Sequence, residues 1–216
     1  MDGATLQAKL YGGYAKAAKR IGLPFAQYRP QAALQPALSS ANGVQTLLAS
    51  FNAEDMGYRH PRGYARVGWY CVADGGQLQA GDYLSGNGYT YFIAAMEPLL
   101  PILAVRCNRV LSVFRPQQQA GVGAVGYGGM TAGNEMPRLT QFPASILLGT
   151  KGEHSLVDLP GDVRSPWWAI LLPNLPGGVT LRSGDLMQDD LGRRFVVSSA
   201  EQSALGWRVG AMEAET

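Results

Sequence analysis

The sequence predicts a mainly β protein with two small barrel-like or sandwich-like domains, related by an internal repeat and preceded by an N-terminal helix and an extended arm. The 216 residues include 28 glycines and 13 prolines, which favours many turns and short strands. Hydrophobic residues make up 46% of the chain, enough to build a core. Two segments also share one pattern of turns and strands, which predicts the repeat.

Charge and hydropathy exclude several function classes. The net charge of +2 is too small for broad attraction to nucleic acid, so we expect no direct nucleic-acid reading. The apolar stretch at 91–105 is interrupted by Glu97, Pro98 and Pro101, so no membrane insertion is expected. The first residues lack the basic and apolar regions of a secretion signal, which predicts synthesis in the cytoplasm.

Residues 2–21 are predicted to form a helix. Leu6, Leu10 and Tyr14 recur at helical spacing and make one apolar stripe. Asp2 is suited to cap the start, and Gly22 is typical of a helix end.

The same helix carries a group of basic residues, Lys9, Lys16, Lys19 and Arg20. Two interpretations are open, namely a solvated helix face or a basic face that docks on an acidic partner.

The segment after the helix is predicted to be an extended arm, so that residues 1–50 form one N-terminal region. Phe25 to Tyr28 has the pattern of a short strand, and Pro30 ends it because proline cannot donate to a ladder. Residues 31–44 are rich in Ala, Pro, Ser and Gln and carry no charge. Such a segment either stays in solvent or lies along another surface.

The rest of the chain divides into a first β domain at 51–116, a glycine-rich linker at 117–138 and a second β domain at 139–216. The predicted strands are Tyr64–Val72, Asp82–Leu84, Tyr89–Met96, Leu103–Phe114, Ala144–Leu148, Trp167–Leu172, Leu186–Gln188, Arg193–Ser199 and Trp207–Met212.

The internal repeat is clearest at a turn that reads Leu-x-x-Gly-Asp in both β segments. It ends at Gly81-Asp82 in the first segment and at Gly184-Asp185 in the second. Each turn is followed by a glycine and an apolar strand. Asp82 and Asp185 are expected to be structural turn residues whose carboxylates accept backbone N–H groups.

A second match places aromatic pairs at equivalent positions, since Arg66-x-x-Trp69-Tyr70 aligns with Arg164-x-x-Trp167-Trp168. Neighbouring residues of a strand point to opposite faces, so one member of each pair should enter the core and the other should point outward. The outward aromatics would be interface anchors, or would be buried under loops, or would form a sugar-binding platform.

No motif of catalysis or cofactor binding stands out. His60 and His154 have no spaced partners, and Cys71 and Cys107 lie outside metal-binding patterns, so no metal is expected. Two free thiols are favoured, and a disulfide between neighbouring strands is the alternative. No phosphate-binding or dinucleotide pattern accompanies the glycines, so no cofactor is predicted. We therefore expect a protein that is not an enzyme; a cell-wall hydrolase would need paired acids that converge.

Four segments of the chain carry a resemblance to known proteins. They are Tyr28-Arg29-Pro30, Gly81-Asp82-Tyr83-Leu84, the stretch 91–102 and the stretch 105–110. These motifs resemble virion proteins encoded among the tail and baseplate genes of tailed bacteriophages. The glycine-aspartate turn and aromatic strand are also similar to the small β-barrels of head–tail joining and tail-completion proteins.

The resemblance implies a non-enzymatic structural component of a phage virion. We expect a homo-oligomeric ring, six-fold or three-fold, in the baseplate core or tube periphery, with neighbouring tail or baseplate proteins as partners. A neck protein between portal and tail is the alternative within this class. A carbohydrate-binding or host-surface-binding module is the alternative outside it.

The residues expected to contact neighbouring subunits come from the helix, the arm and the aromatic pairs. They are Leu6, Lys9, Leu10, Tyr14, Lys16, Lys19, Arg20, Phe25, Tyr28, Trp69, Tyr70, Trp167 and Trp168.

Overall fold

The computed structural model describes residues 2–53, 60, 66–117, 134–149 and 167–214. Within these residues the chain forms one helix and two closed six-stranded antiparallel barrels. The predicted fold class is therefore confirmed: the protein is mainly β, with two small β domains and an N-terminal helix.

The helix and the first barrel occupy the N-terminal half. The elements are α1 (Gly3–Ile21), β1 (Leu23–Tyr28), β2 (Gly43–Asn52), β3 (Gly68–Val72), β4 (Tyr83–Gly86), β5 (Tyr89–Ala95) and β6 (Ile102–Cys107). The order of strands around barrel 1 is β1-β2-β3-β6-β5-β4, and β4 pairs with β1 to close it.

The second barrel follows directly. Its strands are β7 (Arg109–Pro116), β8 (Glu135–Leu148), β9 (Trp167–Leu172), β10 (Leu186–Asp189), β11 (Arg194–Ser203) and β12 (Gly206–Glu213). The order around barrel 2 is β7-β8-β9-β12-β11-β10. This is the order of barrel 1 repeated strand for strand, and therefore the two barrels have the same topology.

The repeat extends to an irregularity of the ladders. In barrel 1 the pairing of β5 with β6 shifts between Ile93 and Ala95. In barrel 2 the pairing of β11 with β12 shifts between Val197 and Ser199. Because Ile93 and Val197 occupy the same place after the two turns, the bulges lie at equivalent positions, as in two copies of one unit.

The N-terminal arm predicted over 23–50 is wrong as a separate region. Leu23–Tyr28 and Gly43–Asn52 are two adjacent strands of barrel 1, and only the connection between them is irregular. Alternate residues of both strands line the barrel core, where Phe25 and Leu47 are buried.

The predicted boundary at 116 and the linker at 117–138 are also wrong. The predicted strand Leu103–Phe114 is two strands that belong to different barrels, and only Asn108 separates them. The strands on either side of the glycine-rich segment, β7 and β8, pair with each other in barrel 2, so the segment does not separate two domains; residues 118–133 lie outside the described part. Glycine content alone does not show which elements a segment connects.

The two barrels pack against each other. The Tyr83 hydroxyl donates to the carbonyl oxygen of Pro143 at 3.0 Å, and its ring contacts Phe142 edge-on. The β1–β2 connection adds backbone hydrogen bonds between Ala33 and Thr140 and between Ala37 and Gln141. Outward-facing residues of β5 and β6 thus join the hydrophobic cluster that includes the core of barrel 2.

Candidate interaction surface

A buried carboxylate closes the turn before β4 in barrel 1. Asp82, which is 1% exposed, receives the Arg29 guanidinium through Nε at 2.7 Å and Nη2 at 2.8 Å. Its Oδ2 also accepts the backbone N–H of Gln79 and the Nε2 of Gln27. The ion pair raises the pKa of Arg29 above its ordinary value. The Asp82 carboxylate, in which both oxygens accept hydrogen bonds, therefore links the turn to the end of β1.

Barrel 2 contains the same arrangement. Asp185, also 1% exposed, receives Nε and Nη2 of Arg115 at 2.7 and 2.9 Å and the backbone N–H of Arg182 at 2.9 Å. Each aspartate accepts backbone N–H groups, which is the role that the turn pattern predicts. The arginines were missed as partners, although Tyr28-Arg29-Pro30 and Phe114-Arg115-Pro116 repeat the same short motif.

Glycine precedes the aspartate in both turns because the backbone there is left-handed. Gly81 has a φ of 94° and Gly184 a φ of 85°, values that residues with a Cβ rarely adopt. Both turns belong to the fold of the barrel, since the carboxylates are held by arginines and backbone groups of the chain itself.

The strand pairing shifts the alignment between the two aromatic pairs by one residue from the predicted alignment. Trp69 pairs with Ala104 of β6, and Trp168 pairs with Ala211, the equivalent residue of β12. Trp69 is therefore equivalent to Trp168, not to Trp167. The two tryptophans also contact equivalent aromatic residues. The ring centroids of Trp69 and Tyr91 of β5 lie 6.2 Å apart, and those of Trp168 and Phe195 of β11 lie 5.8 Å apart.

The other aromatics predicted as interface residues are largely enclosed. Phe25 lies inside barrel 1 and is 4% exposed, so it offers no surface to a partner. Tyr28 packs on the cluster that includes the barrel 2 core. Trp167 is 9% exposed, and Tyr70 is half-buried on the outside of β3. Arg164, the residue aligned with Arg66, lies outside the described residues.

Helix α1 is bound to barrel 1 by one face. Asp2 caps its first turn by accepting the Thr5 N–H at 2.8 Å, and these hydrogen bonds lower the pKa of Asp2. Tyr11 and Tyr14 pack on the barrel core, and burial raises the pKa of Tyr14. Ala18 is buried at the same face. The helix thus covers one part of barrel 1 through Tyr11, Tyr14 and Ala18.

The opposite face of the helix is exposed and basic. Lys9, Lys16 and Arg20 follow one another at helical spacing, with Lys19 beside them, and all four are exposed. None of these four forms an ion pair with a described residue. Leu6 is also exposed, whereas Leu10 is half-buried. Of the predicted interface residues, the four basic ones and Leu6 are therefore the exposed ones.

Two glycines lie on this exposed side of the helix. A Cβ placed on Gly12 or Gly13 would meet no atom within 4 Å. Glycine costs about 1 kcal/mol relative to alanine inside a helix. No contact within the described part of the chain accounts for that cost.

The remaining candidates for chemistry are the thiols, the histidines and the acids. Cys71 and Cys107 are both free, and burial raises the pKa of the Cys71 thiol to about 12. His60 contacts the edge of Trp69, and His154 lies outside the described residues. Over the described ranges, no three His, Cys, Asp or Glu side chains come together as metal ligands would. No helix among the described residues has the length and apolarity needed to span a membrane.

No family model, curated protein or solved structure matches this chain. The fold itself defines the class: a tandem of two six-stranded barrels of equal topology, with a basic helix on the first.

Proposed function

We propose that this protein is a non-enzymatic structural component of a tailed bacteriophage virion. It forms rings in the tail, at the baseplate core or tube periphery, and contacts neighbouring tail proteins. A neck position between portal and tail is the alternative within this role. The proposal draws on the resemblance of the turn and strand motifs to phage tail and head–tail joining proteins.

The observation that carries the proposal is the exposed basic face of α1. Lys9, Lys16, Lys19 and Arg20 project from the side opposite to the barrel contact and have no acidic partner in the described part of the chain. A helix that is fixed to a rigid barrel and presents four cations suits docking on an acidic surface of a neighbouring subunit.

The barrels support the same role. Their buried aspartates are saturated by arginines and backbone groups of the chain itself, so these carboxylates are not free for acid–base chemistry. The carbohydrate-binding alternative needs open aromatic platforms. Trp69 and Trp168 are instead engaged with other rings, and Trp167 is buried.

The test is incorporation into particles. Virions are assembled from a genome that carries Lys16→Glu, and the content of this protein in purified tails is measured by quantitative mass spectrometry. We expect at least a ten-fold loss, with soluble protein of unchanged circular dichroism. Arg182→Glu, an equal charge change at an exposed position of barrel 2, is the matched control and should incorporate normally.

Absence of the wild-type protein from purified virions would overturn the proposal. A glycan array provides the second comparison, because strong binding of the purified chain to a glycan would favour the host-surface alternative.

A further inference from the structure

The contact between the two barrels provides a template for a contact between copies. We infer that copies of this chain associate head to tail, with the outer face of β11 and β12 of one copy on the outer face of β1 and β2 of the next. The inference rests on the proposed assembly role and assigns the surfaces that would serve it.

Within the chain, barrel 1 contributes the outer residues of β5 and β6 to the inter-barrel contact. Phe92, Ala94 and Val105 alternate with residues of the barrel 1 core but belong to the cluster that includes the core of barrel 2. All three are buried. The centre of this face of barrel 1 is therefore covered in the folded chain.

Barrel 2 contributes the outer side of β8 to the same region. Pro143 and Ser145 are buried there, and the Pro143 carbonyl accepts the hydrogen bond from Tyr83. One barrel thus uses its β5–β6 side, and the other uses its β8 side. Such a contact between two similar units is heterologous, because different surfaces of the unit meet.

In barrel 1 the equivalent positions on β2 remain exposed beside helix α1, which packs on the turn at Gly75. The pairing registers make Leu48 equivalent to Pro143 and Ser50 equivalent to Ser145. Leu48 is 39% exposed, and Val44 on the same side of β2 is 47% exposed. The outward positions of β1 and β2 are uncharged; they are Pro24, Ala26, Val44, Thr46 and Leu48. An uncharged face with two exposed aliphatic side chains suits an apolar partner.

The complementary surface lies on barrel 2. Val196 and Met212 are equivalent to Phe92 and Val105, and both are only half-buried, whereas Phe92 and Val105 are buried. Barrel 2 carries Leu186 at the position of Tyr83, so the hydrogen bond to the opposing carbonyl is absent. We therefore expect a contact of the same geometry as the internal one, but weaker.

The occupant that fits the open face of barrel 1 is thus a barrel of the same construction, and a second copy supplies one. Because both barrels are closed, neither offers a free strand edge, and association relies on side-chain packing between faces. Repeating this contact produces a ring if the rotation closes and a filament if it does not.

The experiment uses two variants of the full chain that each block one surface, Leu48→Glu and Met212→Glu. Sedimentation velocity over a concentration series should show association of the wild type and at least a ten-fold weaker association of each variant alone. A mixture of the two variants should form dimers and nothing larger, because each retains the surface that the other lacks.

Leu205→Glu, at an exposed turn between β11 and β12, is the matched control and should associate like the wild type. Circular dichroism checks folding, and Val44→Lys repeats the test of the β2 face should Leu48→Glu fail to fold.

Unchanged association of Leu48→Glu and Val44→Lys would overturn this inference, as would a wild type that stays monomeric at every concentration. Incorporation into virions is scored separately with Lys16→Glu. If the protein is incorporated into virion tails but its copies associate through other surfaces, the inferred contact is wrong and the proposed function still stands.

Discussion

The two barrels share a backbone plan but differ in one layer next to the turn aspartate. In barrel 1, Gln27 and Gln45 face each other across β1 and β2, and Gln27 also donates to Asp82. In barrel 2 the equivalent pair is Val113 and Leu139, both fully buried. Asp185 therefore relies on Arg115 and a backbone N–H alone.

The difference shows which part of the unit the fold requires. The arginine–aspartate pair and the left-handed glycine persist in both barrels, while the layer beside them is polar in one and apolar in the other. A buried amide network is tolerated when its members are hydrogen-bonded, and an apolar pair of suitable shape can replace it. The ionic turn is thus the constant element of the repeat.

The largest expected effect comes from removing the aspartates. Asp82→Ala should lower the free energy of unfolding by about 4 kcal/mol and Asp185→Ala by about 3 kcal/mol, since both remove the carboxylate that holds a half-buried arginine, and only the first also removes a hydrogen bond of the Gln27 amide. Urea denaturation measures both. Glu97→Ala, at an exposed acid, is the control, and losses under about 1 kcal/mol at both aspartates would contradict the role assigned to the pair.

The second prediction concerns stability at alkaline pH. It uses a core position at which the barrels differ, because barrel 1 has Cys71 where barrel 2 has Ile170. Burial raises the pKa of Cys71 from 9.0 to about 12, so the folded state retains a proton that the unfolded state loses. The contribution of the protonated Cys71 thiol to the free energy of unfolding is complete below pH 9. It is lost as the pH rises towards 12, at about 1.4 kcal/mol per pH unit.

Cys71→Ala removes that contribution from the pH dependence. Urea denaturation at several pH values between the two pKa values should show a shallower decline for the variant than for the wild type. Parallel curves would mean that the thiol ionises with equal ease in the folded and unfolded chains.

The third prediction tests the helix, which distinguishes barrel 1 from barrel 2. A Cβ on Gly75 would clash with the Tyr11 ring, so Gly75→Ala should weaken docking of α1 by about 1–3 kcal/mol. Trypsin cleavage after Lys16 should then be at least several-fold faster. In a double-mutant cycle, Tyr11→Ala should make the second change at Gly75 nearly harmless; additive losses would contradict the contact.

The smallest expected effect is a gain. Gly12→Ala should stabilise α1 by about 1 kcal/mol, because the position is exposed and no neighbouring atom opposes a Cβ. Thermal unfolding by circular dichroism measures the change, and Gly13→Ala should behave alike. A loss of stability would indicate that the helix backbone is constrained in some other way.

Local patterns in the sequence were sufficient for the helix, several strands and the repeated turns. The strand Trp167–Leu172 agrees in both bounds, and Gly81-Asp82 marks its turn because the residue types are specific. Strand β2 was missed because its alternation is blurred, since Val44 and Leu48 face outward where polar residues are usual. Long-range pairing decides such segments, and local composition does not.

The candidate surface was predictable in part. The basic residues of the helix form one face because helical spacing is regular. The register of the tryptophans was not predictable, since Trp167 and Trp168 are adjacent and either aligns with Trp69 when only sequence is compared. The arginine partners were missed because a two-residue Arg-Pro match is too short to stand out before the strands are paired.

Asn108 is the single residue between the last strand of barrel 1 and the first strand of barrel 2. Its backbone N–H donates to the Ala144 carbonyl at 3.0 Å, and its amide both donates to and accepts from the backbone of Ile146 at 2.8 Å. A joint this short and this firmly anchored leaves no hinge. In the assembly that we propose, the fixed angle between the two barrels would therefore set the curvature of the larger structure.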